Sequence, residues 1–281
     1  MLLFKTATAL KSHLVTLYEK GSLGLVPTMG ALHKGHTTLV ERAAQENEYV
    51  VVSIFVNPTQ FDNKNDLNNY PQTLNADKSL LKDVLEDIII FAPSVEEIYQ
   101  NKIAAKIYDF EGLDSVMEGA FRDDHFNGVG TIVETLLRLV APDKAYFGEK
   151  DFQQLQIIKK MVSSQKLPVI IVGCPIVREP SGLAMSSRNE RLSKSLRKEA
   201  SFIYRTLLAA KKKFGTKSAT AVIQWVNEQF QEHPELELEY IEITDAETLT
   251  PVLKKQRNRK YRAFVAVYAE DVRLIDNIAL N

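Results

Sequence analysis

A single cysteine, Cys174, stands in 281 residues, so the chain can form no internal disulfide. Its run, Val169 to Pro175, reads as a buried strand, where a core cysteine fits better than a nucleophile. Long hydrophobic runs are missing too: none approaches the roughly 20 residues that a membrane span needs. Met1 to Phe4 is apolar but is followed by Lys5, Lys11 and His13, which does not fit a signal peptide, so a cytoplasmic protein is expected. Neither sign of charge dominates. The net charge of −1 gives no global field to draw nucleic acid or an anionic membrane, and neither is expected as a partner. The one basic cluster, Lys254 to Lys260, reads as a solvated hairpin loop. Repeats, low-complexity linkers and heptads are absent. What remains is ordinary for a globular protein, 45% apolar and 25% charged, at a length that allows a large core and two domains.

The chemistry begins at residues 27 to 40. A short apolar run, Leu23 to Val26, is broken by Pro27 and followed by Thr28-Met29-Gly30-Ala31-Leu32-His33-Lys34-Gly35-His36. After His36 the apolar spacing turns helical through Leu39, Val40 and Ala43, and Tyr49 to Val56 is rich in β-branched residues. Strand, small-residue turn, helix and strand make a βαβ unit, whose first turn lies at the carboxyl edge of a parallel sheet, where open sheets bind ligands. Gly30 and Gly35 let backbone N–H groups approach a phosphate, and the helix start adds unpaired donors and partial positive charge. His33 and His36 stand three apart at that start, and an imidazolium there would stabilise a departing pyrophosphate. A zinc site would need a third ligand, and no cysteine or Glu-bearing histidine motif stands nearby. The motif resembles that of the nucleotidyltransferase superfamily, which fixes a class of chemistry and not a substrate.

Further along, Asn57-Pro58-Thr59-Gln60-Phe61 leaves the second strand abruptly, which puts Gln60 near the same edge, ahead of a polar stretch from Asp62 to Asn69. Helices are expected over 5–20 and Asn75 to Leu85, a third buried strand over Ile88 to Ala92, and an edge strand over Ile103 to Phe110. The polar stretch Glu118 to Gly128 reads as loop, with Arg122 and His125 able to face phosphate, and Gly128 leads a helix through Leu139. Lys144 to Phe147 reads as a strand entering Gly148-Glu149-Lys150-Asp151 and a second helix start, with Gln154 on the same helix face as Lys150. Strand Val169 to Cys174 precedes Val177 and then Met185-Ser186-Ser187-Arg188-Asn189, whose hydroxyls and guanidinium make a phosphate-binding set. The tail reads as helices over 194–214 and 217–231 and strands over 236–244, 261–268 and 272–278.

Pro27 to His36, Asn57 to Phe61, Tyr70-Pro71, His125-Phe126, Gly148 to Gln154 and Met185 to Asn189 together resemble the pantoate–β-alanine ligase family, in its order and spacing. The family's Tyr-Pro-Arg is here Tyr70-Pro71-Gln72, and its Arg-Pro-Gly-His is Arg122-Asp123-Asp124-His125. The resemblance implies an α/β fold, a Rossmann-like parallel-sheet domain over 1–176 followed by a smaller α+β lid domain over 177–281. It implies ATP-dependent joining of (R)-pantoate and β-alanine through a pantoyl adenylate, with release of pyrophosphate and AMP. His36, His33 and Lys150 would be catalytic. ATP would meet Met29, Gly30, Ala31, Leu32, His33, Lys34, Gly35, His36, Gly148, Glu149, Lys150, Asp151, Val177, Met185, Ser186, Ser187 and Arg188. Gln60 and Gln154 would hold pantoate, with Gln60 also on β-alanine. Magnesium would bridge the phosphates, with Asp77 as a candidate ligand, and the protein would be a homodimer. Two other readings are a different nucleotidyltransferase, making a dinucleotide or CDP-alcohol, and an RNA-binding relative of class I aminoacyl-tRNA synthetases. The latter needs a basic surface and a larger appended domain that the sequence lacks.

Overall fold

The structure, a computed structural model, describes residues 1–61, 64–100 and 102–281. Asp62 and Asn63 of the expected polar stretch lie outside the described residues, as does Asn101. The chain forms two compact units, residues 1–149 with 154–175, and residues 150–153 with 176–281.

The first unit is built on six parallel strands: β1 (Leu2–Phe4), β2 (Leu23–Thr28), β3 (Tyr49–Ile54), β4 (Ile89–Phe91), β5 (Lys144–Gly148) and β6 (Ile170–Cys174). Their spatial order is β1-β4-β3-β2-β5-β6, with every neighbouring pair parallel. The chain runs outward one way from β2 and the other way from β5, so the order reverses between these two neighbours. In open sheets of this kind the ligand crevice lies at the carboxyl ends of such a pair. Val50, Val52 and Ile90 are buried in one cluster with Leu39, Val40 and Ala43 of helix Lys34–Glu46 and with Cys174, as expected of a core cysteine. Each such aliphatic side chain contributes about 1.5–3 kcal/mol on burial, enough to fix the register of helix on sheet.

Three expectations change. Leu2–Phe4 pairs with β4 as an edge strand, too short for its periodicity to be read. β6 is also an edge, with Ile170 62% exposed, so only its end at Cys174 is buried. The 103–110 segment forms no strand among the described residues. Its backbone donors meet side chains instead: Lys106 N–H donates to Thr131 Oγ1 at 2.8 Å and Tyr108 N–H to Asn127 Oδ1 at 3.1 Å. Both acceptors belong to helix His125–Val140, whose Gly130 admits the Tyr108 ring so closely that a Cβ there would lie 2.9 Å from it.

The second unit carries an antiparallel sheet, β7 (Glu237–Asp245), β8 (Tyr261–Ala269) and β9 (Val272–Ala279), in the order β7-β8-β9. Helices Ser201–Phe214 and Ala219–Gln231 cover one face, where Ala263, Val265 and Val267 of β8 meet Leu207, Val222 and Val226. The period of two sends Arg262 and Phe264 to the other face. There Phe152 packs, its ring 5.9 Å from Phe264 and under the Arg262 guanidinium at 3.9 Å. Burial of that aromatic is the physical reason residues 150–153 belong to this unit.

Candidate active site

The histidine turn grows from the end of β2. Thr28 Oγ1 donates to Ser53 O at 2.7 Å and accepts from Gly30 N–H at 3.3 Å, tying the turn to β3. Gly30 has φ +83°, a backbone conformation that favours glycine, and a Cβ there would be tight against Asp77 Oδ2 and Ile54 Cγ2, 3.1 Å from each. Ala31 follows at φ +48°. Asp77, 2% exposed, holds this bend: its Oδ1 accepts from Leu32 N–H at 2.8 Å and from Thr73 Oγ1 at 3.1 Å. Helix Lys34–Glu46 then opens with His33 as its cap. His33 Nδ1 accepts from Gly35 N–H at 3.1 Å, and His36 Nδ1 accepts from His33 N–H at 3.2 Å, a reciprocal capping box made by two imidazoles. Both Nδ1 atoms are acceptors, so both rings carry their proton on Nε2. In this box neither Nδ1 carries a proton, so an imidazolium at either position requires the box to open. The two rings lie 4.1 Å apart, centroid to centroid.

Gln60 is set by a second network in the same unit. Asn57, 1% exposed, donates through Nδ2 to Gly128 O at 3.1 Å and to Gln60 Oε1 at 3.2 Å. A carbonyl can only accept, so Asn57 must turn its NH2 that way and Gln60 must turn its oxygen toward Asn57. Gln60 Nε2 then points to Met29 Sδ, beside the histidine turn. The amide therefore turns its donors to that side. Arg122 and His125 do not stand out toward a phosphate. His125 is 6% exposed and donates from Nδ1 to Gln60 O at 2.7 Å, while Arg122 reaches the same carbonyl at 3.3 Å and His125 Nε2 at 3.2 Å. His125 opens the long helix, three residues earlier than expected, and the polar stretch before it includes a short helix, Glu118–Phe121. Asp124 takes φ +54° where the family pattern has glycine, a conformation that aspartate tolerates. A Cβ on Gly128 would lie 2.1 Å from Thr59 O, so the helix can press on the Gln60 turn only with glycine there. Gln72 is exposed.

Lys150 lies in a 3-10 turn, Glu149–Asp151, ahead of helix Phe152–Ser164, so it does not share a regular helix face with Gln154. It belongs to the second unit and Gln154 to the first. Within the second unit, Ser186 caps the turn Ser187–Arg191 by accepting from Arg188 N–H at 3.3 Å. Met185 N–H donates to Val177 O at 3.0 Å. Asn189, 1% exposed, donates to Ala184 O at 3.0 Å and to Glu179 Oε1 at 2.7 Å, and Glu179 is gripped by Arg197 at 2.9 Å. Arg178 forms a two-pronged pair with Asp276 at 2.6 and 3.0 Å. The Arg178–Asp276 pair, Asn277 and the clamps on Asn57 and Gln60 were not found from sequence. One signal was available: Asp276-Asn277 interrupts an apolar strand, and a buried polar pair needs partners.

The donor set does not supply a metal cage. Among the described residues no three His, Cys, Asp or Glu side chains cluster to hold an ion. Asp77 already spends one oxygen on the turn. This fits magnesium only as an ion carried by phosphates, with few protein ligands.

A doubly wound parallel sheet with a glycine–histidine turn at its switch point defines an α/β enzyme that handles a small ligand at the sheet's carboxyl edge. A family profile described as pantoate–β-alanine ligase matches residues 2–279, and the chain belongs to that family of ligases. A pantothenate synthetase from Christiangramia forsetii is 59% identical over 260 residues, covering 92% of each chain, and one from Flavobacterium psychrophilum is 52% identical over 281 residues and the whole of both. The crystal structure of the Thermus thermophilus pantothenate synthetase matches at TM-score 0.92 and 41% identity, covering 100% of this chain and 99% of that one. The pantoate–β-alanine ligase of Francisella tularensis, solved with β,γ ATP and β-alanine, matches at TM-score 0.81 and 34% identity, covering 100% and 98%. No helix among the described residues is long and apolar enough to cross a membrane.

Proposed function

We propose that the chain joins (R)-pantoate to β-alanine at the expense of ATP through a pantoyl adenylate. The reading is carried by the reciprocal histidine box at the end of β2, with Gln60 beside it. The pantoate carboxylate attacks the α-phosphorus, and the bond from that phosphorus to the bridging oxygen breaks to release pyrophosphate. The β-alanine amine then attacks the acyl carbon, the bond to the AMP oxygen breaks, and the amine proton passes to solvent. The carboxylate needs no base, so the protein's task is to place the reactants and to match charge that develops on the phosphates. His33 and His36 do this as Nε2–H donors, while the backbone N–H groups of Gly30, Leu32, His33 and Gly35 are spent on holding the turn. Lys150 and the Ser186 to Arg188 segment are assigned phosphate contacts by the family resemblance. Gln60 donates to an acid oxygen, and Gln154 is assigned to pantoate on the same resemblance. Magnesium would travel with the nucleotide and neutralise phosphate charge. A cytoplasmic homodimer completes the reading, and sedimentation would test the dimer.

The experiment is to mix protein, ATP, magnesium, pantoate and β-alanine and to identify the products. AMP, pyrophosphate and the amide are expected, with pyrophosphate release requiring pantoate. Steady formation of ADP would replace the adenylate by an acyl phosphate.

A further inference from the structure

Lys150 has a backbone partner far along the chain. Asn277 on β9, 2% exposed, donates from Nδ2 to Lys150 O at 2.9 Å, across 127 residues of sequence. The direction of the amide is fixed by its other partner. Arg262, which can only donate, binds Asn277 Oδ1 from its Nη1. Arg262 is itself 9% exposed and sits over the Phe152 ring, its Cζ 3.9 Å from the centroid, two residues beyond Lys150. The lysine turn is thus caught at two points, at its carbonyl by Asn277 and at Phe152 by Arg262 and Phe264, and the two points are joined by the Arg262–Asn277 bond. Asp276, the preceding residue, braces the strand: its Oδ1 accepts from Asn277 N–H at 2.7 Å and its carboxylate is held by Arg178.

We infer that Asn277 is a positioning residue that holds the Lys150 turn through the Lys150 carbonyl, so that β9 rather than the turn's own sequence sets where the lysine ammonium points. The inference rests on the reading of Lys150 as a phosphate contact for its consequence in catalysis. A lysine ammonium on four methylenes is a point charge with much rotamer freedom, so the turn's backbone is what limits its reach. A displacement of about 1 Å at such a group costs up to about a hundredfold in rate.

The test uses the full-length protein with Asn277→Ala and, because Ala leaves buried Arg262 without its acceptor, also Asn277→Asp. The aspartate keeps an oxygen toward Arg262 and sets a second against the Lys150 carbonyl, so it removes the clamp in a protein that retains its packing. Amide hydrogen exchange is read first: residues 150–153 should exchange at least tenfold faster in both variants, while β7 and β8 keep their protection. Unchanged exchange at 150–153 overturns the inference. Pantoate-dependent pyrophosphate release is read second, with kcat expected to fall about tenfold to a hundredfold and the KM for ATP to move much less. The third reading is a double-mutant cycle with Lys150→Ala. If Asn277 acts through Lys150, its replacement costs nothing further once the lysine is gone, whereas an equal cost in both backgrounds overturns the inference. Faster exchange with a Lys150→Ala variant of full activity upholds the clamp and removes Lys150 from the catalytic reading, so the two failures are distinct.

Discussion

The histidine turn after β2 and the lysine turn after β5 share a plan in sequence, a strand, a glycine and a helix start, yet they are held by different means. The histidine turn is closed within the first unit: His33 accepts from Gly35 N–H, His36 accepts from His33 N–H, Thr28 holds Gly30, and Asp77, 45 positions on, holds Leu32. The lysine turn is closed by residues more than a hundred positions away, Asn277 at its carbonyl and Phe264 and Arg262 at Phe152. The first turn needs β3 and Asp77 as well as its own helix, all of them in the first unit. The second has its geometry only when the antiparallel sheet of the second unit, to which Lys150 belongs, is folded. A motif that looks repeated is therefore one turn held within the first unit and one that depends on a distant strand.

The largest expected effect breaks the comparison most directly. His36→Ala removes an Nε2–H donor and one half of the capping box and should lower pantoate-dependent pyrophosphate release by about 10²–10³, the usual cost of one charge-matching donor. The loss should be the same with Asn277 intact or replaced, because the histidine turn owes nothing to β9. The measurement is single-turnover pyrophosphate release in the two backgrounds. A His36→Ala rate near that of the unchanged protein would make the box structural alone.

Next in size is the amide of Gln60. Its Oε1 is occupied by Asn57, so the group turned to an acid is a donor. Gln60→Glu keeps the bond from Asn57 and sets a carboxylate oxygen where the donor was, against the acid's own charge. Pantoate use should therefore weaken about tenfold to a hundredfold in Gln60→Ala, at about 1–3 kcal/mol for an unmet buried group, and at least as much in Gln60→Glu. ATP affinity measured by calorimetry without pantoate should stay as it was. A Gln60→Glu variant that uses pantoate better than Gln60→Ala would show that the oxygen, not the nitrogen, faces the acid.

How much of this was legible in the sequence follows from how far each contact reaches. β2 and β3 are apolar on both faces and bounded by turn residues, so the sheet centre could be read, and the glycines and histidines of one turn are local to one another. β1 has three residues, too few for a period, and the 103–110 segment alternates like a strand, yet its donors at Lys106 and Tyr108 find Thr131 and Asn127 on a helix instead of a neighbouring strand. The roles of Arg122 and His125 were misread because a histidine beside an arginine suggests an anion, whereas both close on one carbonyl of Gln60. Ring protonation at His33 and His36 follows from which backbone N–H each Nδ1 accepts, and no spacing rule gives that. Asn277 and Lys150 are joined only by the fold.

The smallest effect concerns the helix that carries His125, and it separates the first unit's stability from the second's. Glu134, 3% exposed, sits on that helix and accepts from Lys106 Nζ at 2.9 Å, Tyr108 OH at 2.6 Å and Arg138 Nε at 2.7 Å. Burial alone would raise its carboxyl pKa, but the three donors outweigh burial and hold it down at about 2, against an ordinary 4.5. Burial and the same carboxylate push the Tyr108 hydroxyl well above its usual 10.0, so it stays a donor. A depressed folded value means that the stabilisation is fully present above about 4.5 and is lost as the pH falls through about 2. Lys106 and Arg138 are 57% and 51% exposed, so solvent screens both ion pairs and the contribution is about 1 kcal/mol rather than the full value of the shift. Urea unfolding at pH 7 and pH 3.5 should therefore show a larger acid loss in the unchanged protein than in Glu134→Gln. The amide introduced by that substitution has no charge to lose, and hydrogen exchange should place the difference at residues 104–110 and not on β7 to β9. Equal acid loss in the two proteins would assign the acid sensitivity to other carboxylates and leave Glu134 as a packing group.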